Sequence, residues 1–339
     1  QIGSATTIGT PGDGTVSEAK IASGAVTTAK VADGAITAAK LATGAASITS
    51  DAQNNTVAGT NAGDSFTGTD AQHNSLFGKD AGTAITSGDY NTFIGSLAGQ
   101  AATTSTQNTA VGYFAANATT TGTDNTAVGS GSLGANTTGG GNTAIGRSSL
   151  RSNTTGNYNT GLGRSALHQT TTGSDNTGVG YQALNSNTTG VYNTSIGRSA
   201  LHTNTTGSNN TAVGHYCLYT NTASHNVGVG QNCLQQNTSG TSNVSVGTSS
   251  LYANTTGGDN CALGHAALMN NTTGATNIAV GTSALKQNTT GGSNVGIGYQ
   301  ALDANTSGNN SVAVGAYSLS AATTGGVNTA VGTYALHAN

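Results

Sequence analysis

One glycine returns every seventeen residues through most of this chain, and that period constrains the fold more than any other feature. Taking the Gly of the recurring Asn-x-x-x-Gly string as an anchor, the series runs Gly59, Gly78, Gly95, Gly112 and onward to Gly332. There are seventeen copies, and the step is 17 residues except for 19 at the first and 16 between Gly214 and Gly230. The copies read approximately N-T-A-V-G-x-x-A-L-x-x-N-T-T-G-x-x. Such a period is too long for a heptad and carries no Gly-X-Y register, which excludes coiled coil and collagen. Two glycines per unit, abundant Thr and Asn, and no 3.6-residue apolar pattern exclude a helical repeat.

The columns of the repeat predict a stacked β structure. The residue before the anchor is apolar in nearly every copy (Val111, Val128, Ile145, Leu162, Val179). Two residues earlier the column is Thr in early copies (Thr126, Thr143, Thr160) and becomes Val227, Val244, Cys261 and Ile278 later. Residues two apart in a strand share a face, and the exchange of Thr for Val predicts that this face is interior. Leu133, Leu150, Leu167 and their equivalents, four residues after the anchor, form a second apolar column expected to close a thin core from the other side. A second Gly ten residues after the anchor (Gly122, Gly139) and two Asn columns (Asn108, Asn125; Asn136, Asn153) read as corners. Both residue types tolerate left-handed backbone, and stacked amides can hydrogen-bond as a ladder. The predicted fold is all-β: a parallel β-solenoid, a β-roll or β-helix of 17-residue coils, forming a rod on the order of 75–80 Å long by strand spacing.

Composition agrees with a repeat rather than a globule. Hydrophobic residues are 34% and charged residues 6%, against roughly 45–50% and 25% in ordinary domains. Each coil buries only a few modest side chains, so the Ala columns are expected to pack three chains about a threefold axis as a homotrimer. No capping segment is evident before Asn339, where continuation or docking is expected. The net charge of −3 gives no attraction to nucleic acid, and no apolar run approaches a membrane span.

The chain divides into four parts. Residues 1–14 read as a hinge or linker. Residues 15–47 carry Val16, Ile21, Val26, Val31, Ile36 and Leu41 at five-residue spacing, with Lys20, Lys30 and Lys40 in register. One apolar residue in five cannot make a core within one chain, so an intertwined β-type shaft of several chains is expected. Residues 48–73 are a transition with imperfect repeats, and 74–339 are the rod.

The units NTAVGYFA, NTGVGYQALNSNTTG and NSVAVGAYSL resemble repeats of phage and large-virus tail fibres and related bacterial surface proteins. The stretch AKIASGAVTTAKVADGAITAAKLA is similar to fibre shaft repeats, and the string at 310–315 resembles head repeats of trimeric autotransporter adhesins. The resemblance implies a trimeric fibre on a virion, with a bacterial surface adhesin or a polymerising extracellular filament as alternatives. The 17-residue period departs from the shorter adhesin repeat, so the shape of the coil does not carry over.

Candidate chemistry is sparse. Glu18 is the only Glu, the Asp residues are scattered, and no nucleophile–base pair recurs, so no enzyme activity and no cofactor are expected. His168, His202 and His337 share a column, but the nearest two are two coils apart, roughly 9–10 Å, too far to chelate one ion. Cys217 and Cys233 occupy one column in adjacent coils. Parallel side chains at strand spacing hold their Cβ atoms beyond the disulfide optimum of about 3.8 Å, so buried free thiols in Ala-like slots are expected. The column directly after the anchor holds Tyr113, Ser130, Arg147, Arg164, Tyr181, Arg198 and His215. It is the candidate glycan-contact stripe, for a host cell-surface polysaccharide or receptor; an exposed face of freely drifting sequence is the alternative. Ice binding needs a flat outward Thr array and is disfavoured by the inward placement of the Thr column.

Overall fold

The computed structural model describes residues 49–66 and 70–337. The hinge and shaft expected at 1–47 lie outside the described residues. The rest is a parallel β-solenoid with one strand per coil. Strand β1 (Thr49–Ser50) runs antiparallel to β2 (Thr56–Ala58). From β2 every strand pairs in parallel with the next, through β3 (Ser75–Phe77) and β6 (Thr126–Val128) to β18 (Thr329–Val331). Stacking is in strict register: Thr126 lies over Thr143, Ala127 over Ala144 and Val128 over Ile145. The first rung therefore already falls within 48–73, and the irregular 19-residue step is absorbed between β2 and β3.

Coil-to-coil hydrogen bonding does not stop at the strands. In one turn Thr126 N donates to Asn142 O at 2.8 Å, Leu133 N to Ser149 O at 2.9 Å and Thr137 N to Thr154 O at 2.9 Å. A chain with so thin a core thus satisfies its backbone by bonding around most of the perimeter. The first Thr of each Thr-Thr pair adds a side-chain bond to the coil above, as from Thr137 Oγ1 to Thr154 O at 3.0 Å.

The strand's inward face is the reverse of that expected. The middle residue points in: Ala110, Ala127 and Ala144 are fully buried. Thr126 and Val128 on either side are only half-buried, and Ile145 and Ile278 are exposed. The reason is the space left by the Leu column, whose members from Leu133 to Leu319 are fully buried. A Cβ at Gly178 would sit 3.1 Å from both Cγ and Cδ1 of Leu167, so only Gly, Ala or Ser fits opposite. β-Branched residues are forced outward by size, and their enrichment reflects strand preference rather than burial. The expected trimer contact through Ala columns is likewise corrected, because those methyls are consumed inside each coil.

The remaining core is polar. One Asn column runs from Asn55 to Asn294. In most rungs, as at Asn125, the backbone N and Nδ2 both donate to the amide oxygen below, here Asn108 Oδ1 at 3.0 Å, and Nδ2 also donates to Gly139 O at 3.0 Å. The second column works similarly: Asn271 Nδ2 donates to Asn254 Oδ1 at 2.8 Å and to Gly274 O at 2.9 Å. Apart from Asn153 Oδ1, which is left without a partner beside Thr170, the amides of these runs are paired through their neighbours, which makes burial of so many of them tolerable. Asp51 begins the first column, accepting from Asn55 N at 2.8 Å and Asn55 Nδ2 at 2.9 Å.

Corners use unexpected residues. The anchor glycines do have positive φ, near 134° at Gly163, and a Cβ there would meet Gly180 O at 2.6 Å. The second Gly column and the Asn ladders are not left-handed. A Cβ at Gly122 would lie 2.4 Å from Gly139 O, so close approach selects glycine there. The left-handed corners fall instead on non-glycine residues, including the core leucines (Leu133 φ 51°, Leu150 φ 49°) and Ser148, Ser165 and Tyr158. At Leu this conformation costs about 1–2 kcal/mol, offset by the buried side chain and the coil-to-coil bond it makes.

The 16-residue coil loses its residue in the corner between Asn221 and Asn226. Ala223 O takes over the acceptor role of the missing glycine, receiving Asn210 Nδ2 and Asn221 Nδ2 at 2.8 Å each. The two Asn ladders touch there, with Asn226 Nδ2 3.2 Å from Asn221 Oδ1.

Candidate functional site: a basic and aromatic strip

Directly after the anchor glycine the chain leaves the strand and doubles back through left-handed residues two and four positions on. This brings the first, second and fifth positions after the anchor to one side of the rod. Tyr216 and Tyr219 demonstrate it, meeting edge to face with centroids 5.2 Å apart.

Of the stripe residues, Tyr113, Arg147, Arg164, Tyr181 and Arg198 are exposed and His215 is half-buried. Three of them form a ladder. The Arg164 guanidinium lies over the Tyr181 ring at 5.7 Å, and Arg198 lies 5.9 Å from both Tyr181 and Tyr216. Cation and ring alternate from Arg164 to Tyr216, each contact contributing about 0.5–1 kcal/mol at an exposed site. His215 continues the ladder against Tyr216, centroids 4.0 Å apart. Tyr113 is not part of it: it tilts against Phe114 at 6.0 Å, and the two line a shallow recess with Ser130, Gly131 and Arg151. Arg147 lies in the same coil as Arg151, next to the ladder that begins at Arg164.

Several members were not legible from the first column alone. Arg151, His168, His202 and Tyr219 sit five residues after their anchors, and Phe114 and Tyr216 two after. All four arginines of the chain fall in this strip, and none of the three columns holds a carboxylate between Tyr113 and Tyr219. Among the described residues the ion pair is Lys79 with Asp80 at 3.8 Å, so the arginine charges are not neutralised by a partner. Burial lowers the pKa of His168, with the Arg151 charge adding to the effect, and burial alone lowers that of His202. His202 stacks on Tyr219 at 5.0 Å. Further along, Tyr299, Tyr317 and Tyr334 make a second aromatic run without arginine, the last two stacked at 4.9 Å.

Among the described residues no three His, Cys, Asp or Glu side chains converge to hold a metal ion, and no helix is long and apolar enough to cross a membrane. Cys217 and Cys233 are buried free thiols and Cys261 is a half-buried one. The fold and strip define the class to which the chain belongs structurally, a β-solenoid repeat protein with one chemically distinct side. No family model, no curated protein and no solved structure matches it.

Proposed function

We propose that the chain is a structural fibre protein, a tail or virion fibre that spaces and presents host-recognition elements as a homotrimer. The observation that carries this reading is the outward strand face. Two columns, chiefly of Thr, Val, Ile and Leu, run along the rungs with no charge, becoming almost wholly aliphatic from Val227 to Val314. Ile278 is 41% exposed in the single chain, and Val244, Val246, Leu263 and Ile297 are similarly open. A contiguous apolar surface of this kind marks an association site. Seventeen rungs by three residues present about 800 Å² per rod, the area each partner contributes to a standard specific interface. A second copy of the same ladder is the one surface whose side chains repeat at the same pitch, so interdigitation continues along the whole length.

The arginine–tyrosine strip favours a second, compatible reading, an adhesin whose lateral face holds an acidic polysaccharide of a host or neighbouring cell. Unpaired guanidinium groups would take carboxylates or sulfates, and the rings would take the apolar faces of sugars. An extracellular or cell-surface location goes with it. Outward placement of the Thr column removes one objection to ice binding, but the aliphatic second half of that face does not favour it. Retention of the purified chain on immobilised acidic and neutral polysaccharides separates the readings. Salt-sensitive retention on the acidic resin alone supports the adhesin strip, and no retention on either leaves a passive rod.

A further inference from the structure

The short coil carries a feature that neither reading uses. Cys217 and Cys233 follow their anchor glycines by three residues, at either end of the single 16-residue step. Other coils have Ala or Ser there, such as Ala183, Ala200, Ser250 and Ala267, all fully buried. The two Sγ atoms are 2.7 Å apart, and Cys233 Sγ also lies 3.2 Å from Gly230 O. Above them the middle residue of strand β12 (Val227–Val229) is Gly228, where a Cβ would come within 2.5 Å of Cys217 Sγ and 3.1 Å of Cys233 Sγ. The thiols therefore share a slot that the strand leaves open for them. Parallel neighbours at strand spacing were expected to hold their thiols apart; here the side chains converge, and about 0.7 Å of further approach reaches bonding distance.

We propose that Cys217 and Cys233 are a disulfide site that staples the one-residue deletion in the rod, leaving Cys261 as the free thiol. Closure is a two-step exchange with a disulfide oxidant such as oxidised glutathione. One cysteine loses its proton and attacks the glutathione disulfide, forming a mixed disulfide and releasing one glutathione thiol. The second cysteine loses its proton, attacks the mixed disulfide and releases the other. Two S–H bonds and one S–S bond break, one S–S bond forms, and the two electrons and two protons end on glutathione. Both side chains are fully buried, and burial with the neighbouring thiol pushes the Cys217 pKa well up. The reaction therefore runs fastest while the coils are closing during folding, and slowly in the finished rod.

The test is to refold the full chain with reduced and oxidised glutathione, block remaining thiols under denaturing conditions and map the peptides by mass. A Cys217–Cys233 linked peptide is expected, with one blocked thiol at Cys261 against three in the reduced chain. The Tm of the oxidised chain should rise above that of the reduced chain, and Cys233→Ala should abolish the difference. Alanine is the residue of that column elsewhere, so this variant keeps the coil. Three blocked thiols after oxidative refolding, glutathione retained on either cysteine, or linkage to Cys261 would each overturn the proposal.

Discussion

A gap in the second asparagine ladder makes the sharpest test of how the core is held. At Thr170 the amide is replaced by a hydroxyl, and the consequences spread to three residues. Thr170 Oγ1 and Asn153 Oδ1 are buried without a hydrogen-bond partner. Asn187 Nδ2 reaches only Gly190 O at 3.0 Å, where unbroken rungs also donate to the amide below. Gly173 O receives Asn159 Nδ2 at 2.8 Å, whereas the equivalent Gly156 O also takes its own coil's Asn153. Thr170→Asn would supply donors to Asn153 Oδ1 and Gly173 O and an acceptor for Asn187, in a slot whose size neighbouring rungs already accommodate. Three bonds at about 0.5–1.5 kcal/mol each, less the ordering of one side chain, give a stabilisation of about 2 kcal/mol. Hydrogen exchange read on the amides of 163–180 should slow roughly 30-fold at that value. Thr170→Val, which removes the orphaned hydroxyl but leaves Asn153 unpaired, should give a smaller gain. The reverse change, Asn271→Thr in an unbroken run, should destabilise its coil by about 2 kcal/mol. Faster or unchanged exchange in Thr170→Asn would refute the idea that the amide ladders stabilise the core.

Three further outcomes follow from the packing. Ala127→Leu should destabilise its coil by about 1–3 kcal/mol through overpacking against the Leu column, whereas Val128→Thr should change a single rod by under about 0.5 kcal/mol; denaturant melts compare them. Burial pushes the Asp51 carboxyl up, but hydrogen bonds from Asn55 and Gln53 outweigh it and hold its pKa below the ordinary 3.8. Its support of the first rung is therefore complete above the unfolded value and lost as pH falls through the lower folded one, readable as faster exchange at β2 on acidification below the ordinary carboxylate range. Replacing Arg164 and Arg198 together by Gln should abolish retention on acidic polysaccharide without altering the circular dichroism spectrum, and Arg147→Gln alone should weaken it less.

Much of this structure is legible in the sequence, for a physical reason: stacking repeats each position, so a column is read seventeen times. The Thr-Ala-Val strand, the anchor glycine and the Leu column can each be placed from that repetition. Which side of the strand faces in cannot. Apolarity ranks Val above Ala, yet the interior is so narrow that Leu167 excludes anything beyond Gly, Ala or Ser at position 178, and size overrides hydrophobicity. The left-handed corners are also hidden, because Leu133 and Ser148 adopt a conformation usually signalled by Gly or Asn. That concealment explains the strip: Arg164, Tyr181 and Arg198 share one visible column, whereas Tyr216 and Arg151 join it only because the chain doubles back at those corners.

Sedimentation of the purified full chain addresses the fibre reading most directly, run beside a variant carrying Val246→Lys and Ile278→Lys on the outward strand face. A mass of three chains is expected for the natural sequence and one for the variant, with the β spectrum unchanged. A single chain at micromolar concentration, or a trimer indifferent to both lysines, would contradict assembly through that face.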